Sequence, residues 1–158
     1  MSIIYTDQEI SQLLHERKIL PVEWPTQVRF RDKRGHKEFD LDVSGELGNE
    51  FRIILRRNSR NLFNFSVILA VHIPLSTQLF RLRRYNGKSH RHTNPIEGVT
   101  FYDYHIHMAT ERYQGIGADE DTYAEVTTEY SNYSEAFELM LREGNFVEPP
   151  TDQMGLFC

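Results

Sequence analysis

Phe63-Asn64-Phe65-Ser66-Val67-Ile68-Leu69-Ala70-Val71 decides the fold, read with Phe51-Arg52-Ile53-Ile54-Leu55-Arg56 before it and Leu79-Phe80-Arg81-Leu82-Arg83-Arg84-Tyr85 after it. The first run is almost wholly apolar and rich in β-branched and aromatic residues, which reads as a central strand buried on both faces. Its neighbours alternate apolar with charged side chains, the two-residue period of a strand with one dry face. The same period recurs over 28–31, 39–43 and 101–108. Asp32-Lys33-Arg34-Gly35, the segment 45–49 and the segment 58–61 are turn signals between these runs. Six strands in an antiparallel meander follow.

Helices flank the strands. Thr6 with Glu9 three residues later is a capping box, and Ile10, Leu13 and Leu14 make one apolar stripe that ends before Pro21. A second helix begins near Asn132 or Ser134, with Tyr133, Phe137, Met140 and Leu141 as its stripe and Gly144 as its C-cap. The expected fold is α+β: an antiparallel sheet of about six strands with an N-terminal and a C-terminal helix packed on one face. It forms a single domain over residues 1–147. Pro149-Pro150 ends the ordered chain, and 148–158 is expected to be a flexible tail.

Composition excludes several classes. At 158 residues with 39% hydrophobic content the chain can bury a core. Its one cysteine, Cys158, permits no disulfide framework, and the first residues lack a basic region followed by an apolar run. The longest apolar stretch, 67–73, is too short to span a membrane. A cytoplasmic protein with no membrane association is the expectation. The net charge of −5 hides segregation. Residues 27–92 carry 14 basic and 6 acidic side chains, whereas 93–158 carry 2 basic and 13 acidic. A basic middle attracts phosphate. Alternatively, the acidic segment packs beside it and neutralises it.

Alternation places chemistry on one face. With Tyr102, Tyr104, Ile106 and Met108 inward, Phe101, Asp103, His105 and His107 point the other way. With Phe80 and Leu82 inward, Arg81, Arg83 and Tyr85 join them, as do Arg52 and Arg56. The segment 86–100, expected to be a loop, adds Lys88, His90, Arg91 and His92.

Three readings compete for this group. In the first, it cleaves RNA without a metal. That reaction needs a base for the ribose 2′-hydroxyl, an acid for the leaving oxygen and cations for the phosphorane, and histidine and arginine supply these. His105 and His107, two residues apart on a strand, would sit roughly 6–7 Å apart and bracket a phosphate. His90 and His92 complete the catalytic set, with Arg81, Arg83, Arg84, Tyr85 and Arg91 on the phosphate. In the second, His105, His107 and His90 or His92 bind zinc, which the surrounding arginines oppose. In the third, they are structural histidines paired with the acidic segment. Elsewhere, His15 and His36 read as surface and turn residues, His72 as a satisfied, partly buried histidine, and Asp119-Glu120-Asp121 as a solvated acidic loop. No Walker pattern, paired-cysteine motif or Gly-X-Ser-X-Gly occurs.

Arg84-Tyr85-Asn86, then His90-Arg91-His92-Thr93-Asn94-Pro95, then His105-Ile106-His107 resembles the TumE family of toxin–antitoxin proteins. It is also similar to a related bacterial and prophage family of unknown function that carries His-X-Asn-Pro followed by His-Ile-His. The resemblance covers residues 78–147. Asn86 stands where the TumE pattern has an Asp-Asn pair, and the loop here is longer. It implies a small α+β domain from a mobile-element or defence context that acts on RNA or translation. The expected protein is therefore toxin-like and binds and cleaves RNA through the His/Arg face without a cofactor or a resident metal. Its partners would be RNA and a cognate antitoxin or host protein. The alternative is a non-enzymatic, phage-type inhibitor that occupies a host defence or nucleic-acid-handling protein.

Overall fold

The computed structural model of the chain describes residues 4–22, 24 and 30–149. Helix α1 (Asp7–His15) leads into β1 (Lys18–Ile19), β2 (Arg31–Lys33), β3 (His36–Ser44), β4 (Glu50–Asn58), β5 (Phe65–His72) and β6 (Leu79–Asn86). After these come β7 (His92–Asn94), β8 (Val99–Phe101), β9 (His105–Met108), the short helix α2 (Glu111–Gly115), β10 (Ala124–Val126), α3 (Tyr133–Glu143) and β11 (Phe146–Val147). The architecture is α+β. Among the described residues seven strands form one antiparallel sheet in the order β10-β9-β6-β5-β4-β3-β2. Its middle is the expected meander, with β5 at the centre.

The helices form for the reasons their sequences give. Thr6 Oγ1 accepts from the Glu9 N–H at 3.0 Å and the Thr6 N–H donates to Glu9 Oε1 at 2.9 Å, closing the capping box at the start of α1. Ile10, Leu13 and Leu14 are buried. Asn132 caps α3, whose Ala136, Leu139 and Met140 enter the core while Tyr133, Phe137 and Leu141 pack at its margin. Both helices cover the face that carries Phe51, Ile53, Leu55, Val67, Leu69 and Val71. Burying this set from water is the main driving force for the fold.

One cation ties the helix ends together. Lys18 Nζ donates to the carbonyls of Leu13, Leu14 and Glu16 at the end of α1 and of Gly144 after α3, at 2.6–3.0 Å. These carbonyls have no partners within their helices, and the negative ends of both helix dipoles face the ammonium. Burial lowers the Lys18 pKa to about 8, against the pull of Glu16.

The structure departs from expectation in the second half. The predicted loop 86–100 contains a separate hairpin, β7–β8. The predicted strand 101–108 is two pieces, because Phe101 ends β8 and the sheet strand begins only at His105. Three-residue polar strands such as His92-Thr93-Asn94 carry no periodic apolar signal, so nothing in the sequence marks them. The seventh sheet strand, β10, is equally short. Of the predicted strand over 28–31, residues 28 and 29 lie outside the described residues, and Arg31 opens β2, which runs on through the expected turn residues Asp32 and Lys33. Residues 150–158 of the expected tail also lie outside the described residues. No helix among the described residues is long and apolar enough to cross a membrane.

Candidate functional site

A bulge in β6 sets the site. Leu69 pairs with Arg83 and Ala70 with Arg81, so Leu82 is left without a partner in the ladder. An extra residue turns two successive side chains toward the same face. Leu82 and Arg83 both face the helices, and from there the phase is inverted: Tyr85 faces the helices, while Arg84 and Asn86 face the other way. The placement of Arg83 and Tyr85 on the histidine face is therefore corrected. Tyr85 is fully buried in the core. Its hydroxyl donates to Glu143 Oε1 at 2.7 Å, and Arg83 Nη1 meets the same oxygen at 3.0 Å. Desolvation pushes the Tyr85 hydroxyl well above its ordinary pKa. Arg81 stays on the histidine face, and the inverted phase brings Arg84 onto it beside Asp121.

On that face Arg84 stands opposite His107 and Asn86 opposite His105. The β7–β8 hairpin lies over them. His92 stacks on His105 with ring centroids 5.5 Å apart and planes 13° apart, and lies 4.7 Å from His107. His105 and His107 are 5.0 Å apart, and His90 reaches His105 at 6.4 Å. Phe101 closes one side, 5.4 Å from His105. The expected catalytic histidines 90, 92, 105 and 107 thus come together. They form a covered cluster, not an open face: His105 is 0% and His107 4% exposed, and only His90 and Arg91 stand out in solvent.

The tautomers follow from the bonds. His105 Nδ1–H donates to the Asp103 carbonyl and His107 Nδ1–H to the Asp121 carbonyl, each at 2.7 Å. Each ring therefore carries its lone pair on Nε2. His105 Nε2 is buried and has no hydrogen-bond partner among the described residues. Burial holds the pKa of His105 down at about 4 and that of His107 at about 2, reinforced by neighbouring imidazoles and Arg84. Both are neutral near pH 7. His92 Nε2–H donates to Asn94 Oδ1 at 2.8 Å. Among the described residues no three His, Cys, Asp or Glu side chains converge as a metal site requires.

The acidic segment does meet the basic middle. Arg81 Nε lies 3.1 Å and Arg84 Nε 3.3 Å from Asp121 Oδ2, and Glu120 accepts from the Arg81 N–H at 2.9 Å. Burial lowers the Arg84 pKa, with Asp121 opposing. Asp121, expected in a solvated loop, is 2% exposed. Arg52 and Arg56 sit on the same face, paired with Asp42 and Glu38. His72 is satisfied by Asp42 at 3.1 Å, as expected.

Sequence reading missed Asn94. Its side-chain amide donates to the Ala124 carbonyl at 2.7 Å and accepts from the Ala124 N–H at 2.9 Å, mimicking one more ladder step on edge strand β10. The same oxygen holds His92. Glu97 at the hairpin tip takes the Tyr113 hydroxyl and pairs with Arg112. Asn-Pro after the histidines was the only local signal for Asn94. Comparison with protein-family models, with curated proteins and with solved structures finds no match.

Proposed function

We propose that this protein is a toxin-like, metal-independent ribonuclease of a mobile-element or toxin–antitoxin context, acting through His105. The observation that carries the reading is the geometry of that side chain. Its ring is fixed by Asp103, its Nε2 lone pair is buried and unpartnered, Arg84 lies on the same face, and His90 stands 6.4 Å away at the rim. A buried neutral imidazole with a free lone pair is a base awaiting a proton. The TumE-like residues Arg84-Tyr85-Asn86 and His105-Ile106-His107 supply the biological context.

In this mechanism His105 Nε2 takes the proton of a ribose 2′-hydroxyl. The 2′-oxygen attacks phosphorus and the P–O5′ bond breaks. His90, exposed to solvent, donates a proton to the leaving 5′-oxygen. The products are a 2′,3′-cyclic phosphate and a 5′-hydroxyl. His107, held neutral by burial, orients the cluster and does not act as the acid. Arg84 and Arg81 balance the phosphorane charge, exchanging the Asp121 carboxylate for phosphate. His92 and Phe101 cover His105, so substrate enters as the β7–β8 hairpin lifts.

The test is incubation of the pure protein with end-labelled RNA in EDTA. Cleavage to cyclic-phosphate ends is expected, falling about 100-fold or more in His105→Ala. Cleavage that survives His105→Ala, or none by the wild type, removes this reading. The closed cluster and the internally paired arginines favour a second reading, a non-enzymatic inhibitor of a host protein. It predicts a stable complex in a lysate pull-down that His105→Ala leaves intact.

A further inference from the structure

We propose that Phe63 and Lys88, backed by Tyr104, form a stacking platform that holds single-stranded RNA next to His90, at the rim of the histidine cluster. This rests on the ribonuclease reading and adds the strand state of its substrate. Lys88 Nζ lies 5.3 Å from the centroid of the Phe63 ring and 5.1 Å from that of Tyr104. The three residues come from the loop before β5, the segment after β6 and the position just before β9. Tyr104 packs against Phe65 and Tyr130 and donates its hydroxyl to the Ser131 carbonyl, so it backs Lys88 from the helix side. The platform reaches the histidine cluster along Lys88-Ser89-His90, where the His90 ring is 6.4 Å from that of His105.

The loop that presents Phe63 is built rigidly. Asn58 Oδ1 accepts from the N–H groups of Arg60 and Asn61 at 2.8 Å, and Asn61 Oδ1 accepts from Phe63 N–H at 3.0 Å. Backbone bonds from Asn58 to Asn64 and from Asn64 to Asn61 close it. Gly87 presses so near that a Cβ there would run into the Phe63 carbonyl. Yet this ordered turn shows Leu62 at 83% and Phe63 at 49% exposure. Neither side chain is needed to make the turn, and two adjacent apolar side chains on a fixed loop mark a contact surface.

The chemistry around Phe63 identifies what it meets. A cation lying between two aromatic rings pairs base stacking with a phosphate contact, the combination that grips single strands without reading sequence. Arg60 in the same loop and His90 and Arg91 beyond Lys88 are exposed and extend the positive side, with Asp103 as the acidic neighbour. In a duplex the base faces are already stacked on each other, so an exposed phenyl ring gains nothing from them. The platform therefore selects unpaired RNA.

The experiment measures binding of a short fluorescent oligouridine, and of an RNA duplex of equal length, to the full chain. Oligouridine is expected to bind more tightly than duplex. Phe63→Ala should weaken oligouridine binding about tenfold, within the range for one stacked base, while Phe63→Tyr restores it. Lys88→Gln should lower the slope of log affinity against log salt by about 0.7, one phosphate contact on a single strand. That slope tests the platform even where Phe63→Ala fails to fold. Oligouridine that binds the wild type and Phe63→Ala equally overturns the platform and leaves the ribonuclease reading standing. Duplex binding as tight as oligouridine also overturns it. A wild type that binds neither RNA removes the ribonuclease reading and the platform together.

Discussion

The imidazole of His92 lies flat on that of His105, 5.5 Å between centroids with the planes 13° apart. A proton on His105 would put a charge against the His92 ring, so the stack suits the neutral His105 that burial enforces. The hairpin that carries His92 is held down by this stack on a neutral His105 and by polar clips at Asn94 and Glu97.

Acid should therefore loosen the hairpin. Both buried histidines have folded pKa values below the ordinary 6.5, at about 4 for His105 and about 2 for His107. The unfolded chain binds protons first, so stability is full above pH 6.5 and is lost as pH falls below it. His105 alone accounts for on the order of 3 kcal/mol between pH 6.5 and 4. Urea midpoints measured across that window should fall less steeply in His105→Gln than in the wild type. Parallel curves would contradict the assignment.

Asn94→Ala should release the hairpin from β10. The change removes two bonds to Ala124 and one to His92 and leaves the Ala124 N–H without its partner. A cost of about 1–3 kcal/mol is expected. Hydrogen exchange should quicken in 92–101 and at Ala124 while β4 and β5 stay protected.

Gly87→Ala should be destabilising despite being a one-carbon change. The new methyl meets the Phe63 carbonyl and the Phe65 ring, neither of which can move without opening the start of β5. Overpacking of this kind costs about 1–3 kcal/mol. Thermal unfolding reads it, and a melting temperature equal to the wild type's would contradict the close approach.

On the proposed ribonuclease function, Asp121→Asn should tighten RNA binding. The carboxylate pairs with Arg84 and shares Arg81 with Glu120, so its neutral isostere frees the Arg84 guanidinium for phosphate while Arg81 keeps Glu120. The salt slope should steepen by about 0.7 for each phosphate gained. An unchanged slope would show that Arg84 only braces the fold.

Much of the scaffold was legible because it depends on short-range rules. The Thr6–Glu9 box, the buried stripe of α1, the start of α3 at Asn132 and the strands β3 to β6 follow from caps and two-residue alternation. So does the outward side of β9, where Ile106 enters the core and His105 and His107 do not. The gathering of four histidines was foreseeable from the same alternation plus the loop composition.

What the sequence by itself determined is the periodic part: an α+β sheet with its helices, and a face that receives His105, His107 and Arg81, while Arg84 reaches that face only through the bulge. Only the tertiary structure decided what that face became. One unpaired residue, Leu82, inverts the phase of β6 and sends Arg83 and Tyr85 to Glu143 on the far side. Asn94, on a polar three-residue strand, clamps the β7–β8 hairpin to an edge strand 30 residues away. Asp121 enters a nearly dry site to meet two arginines. Bulges and long-range polar clips arise from the fit between elements, and no local periodicity encodes that fit.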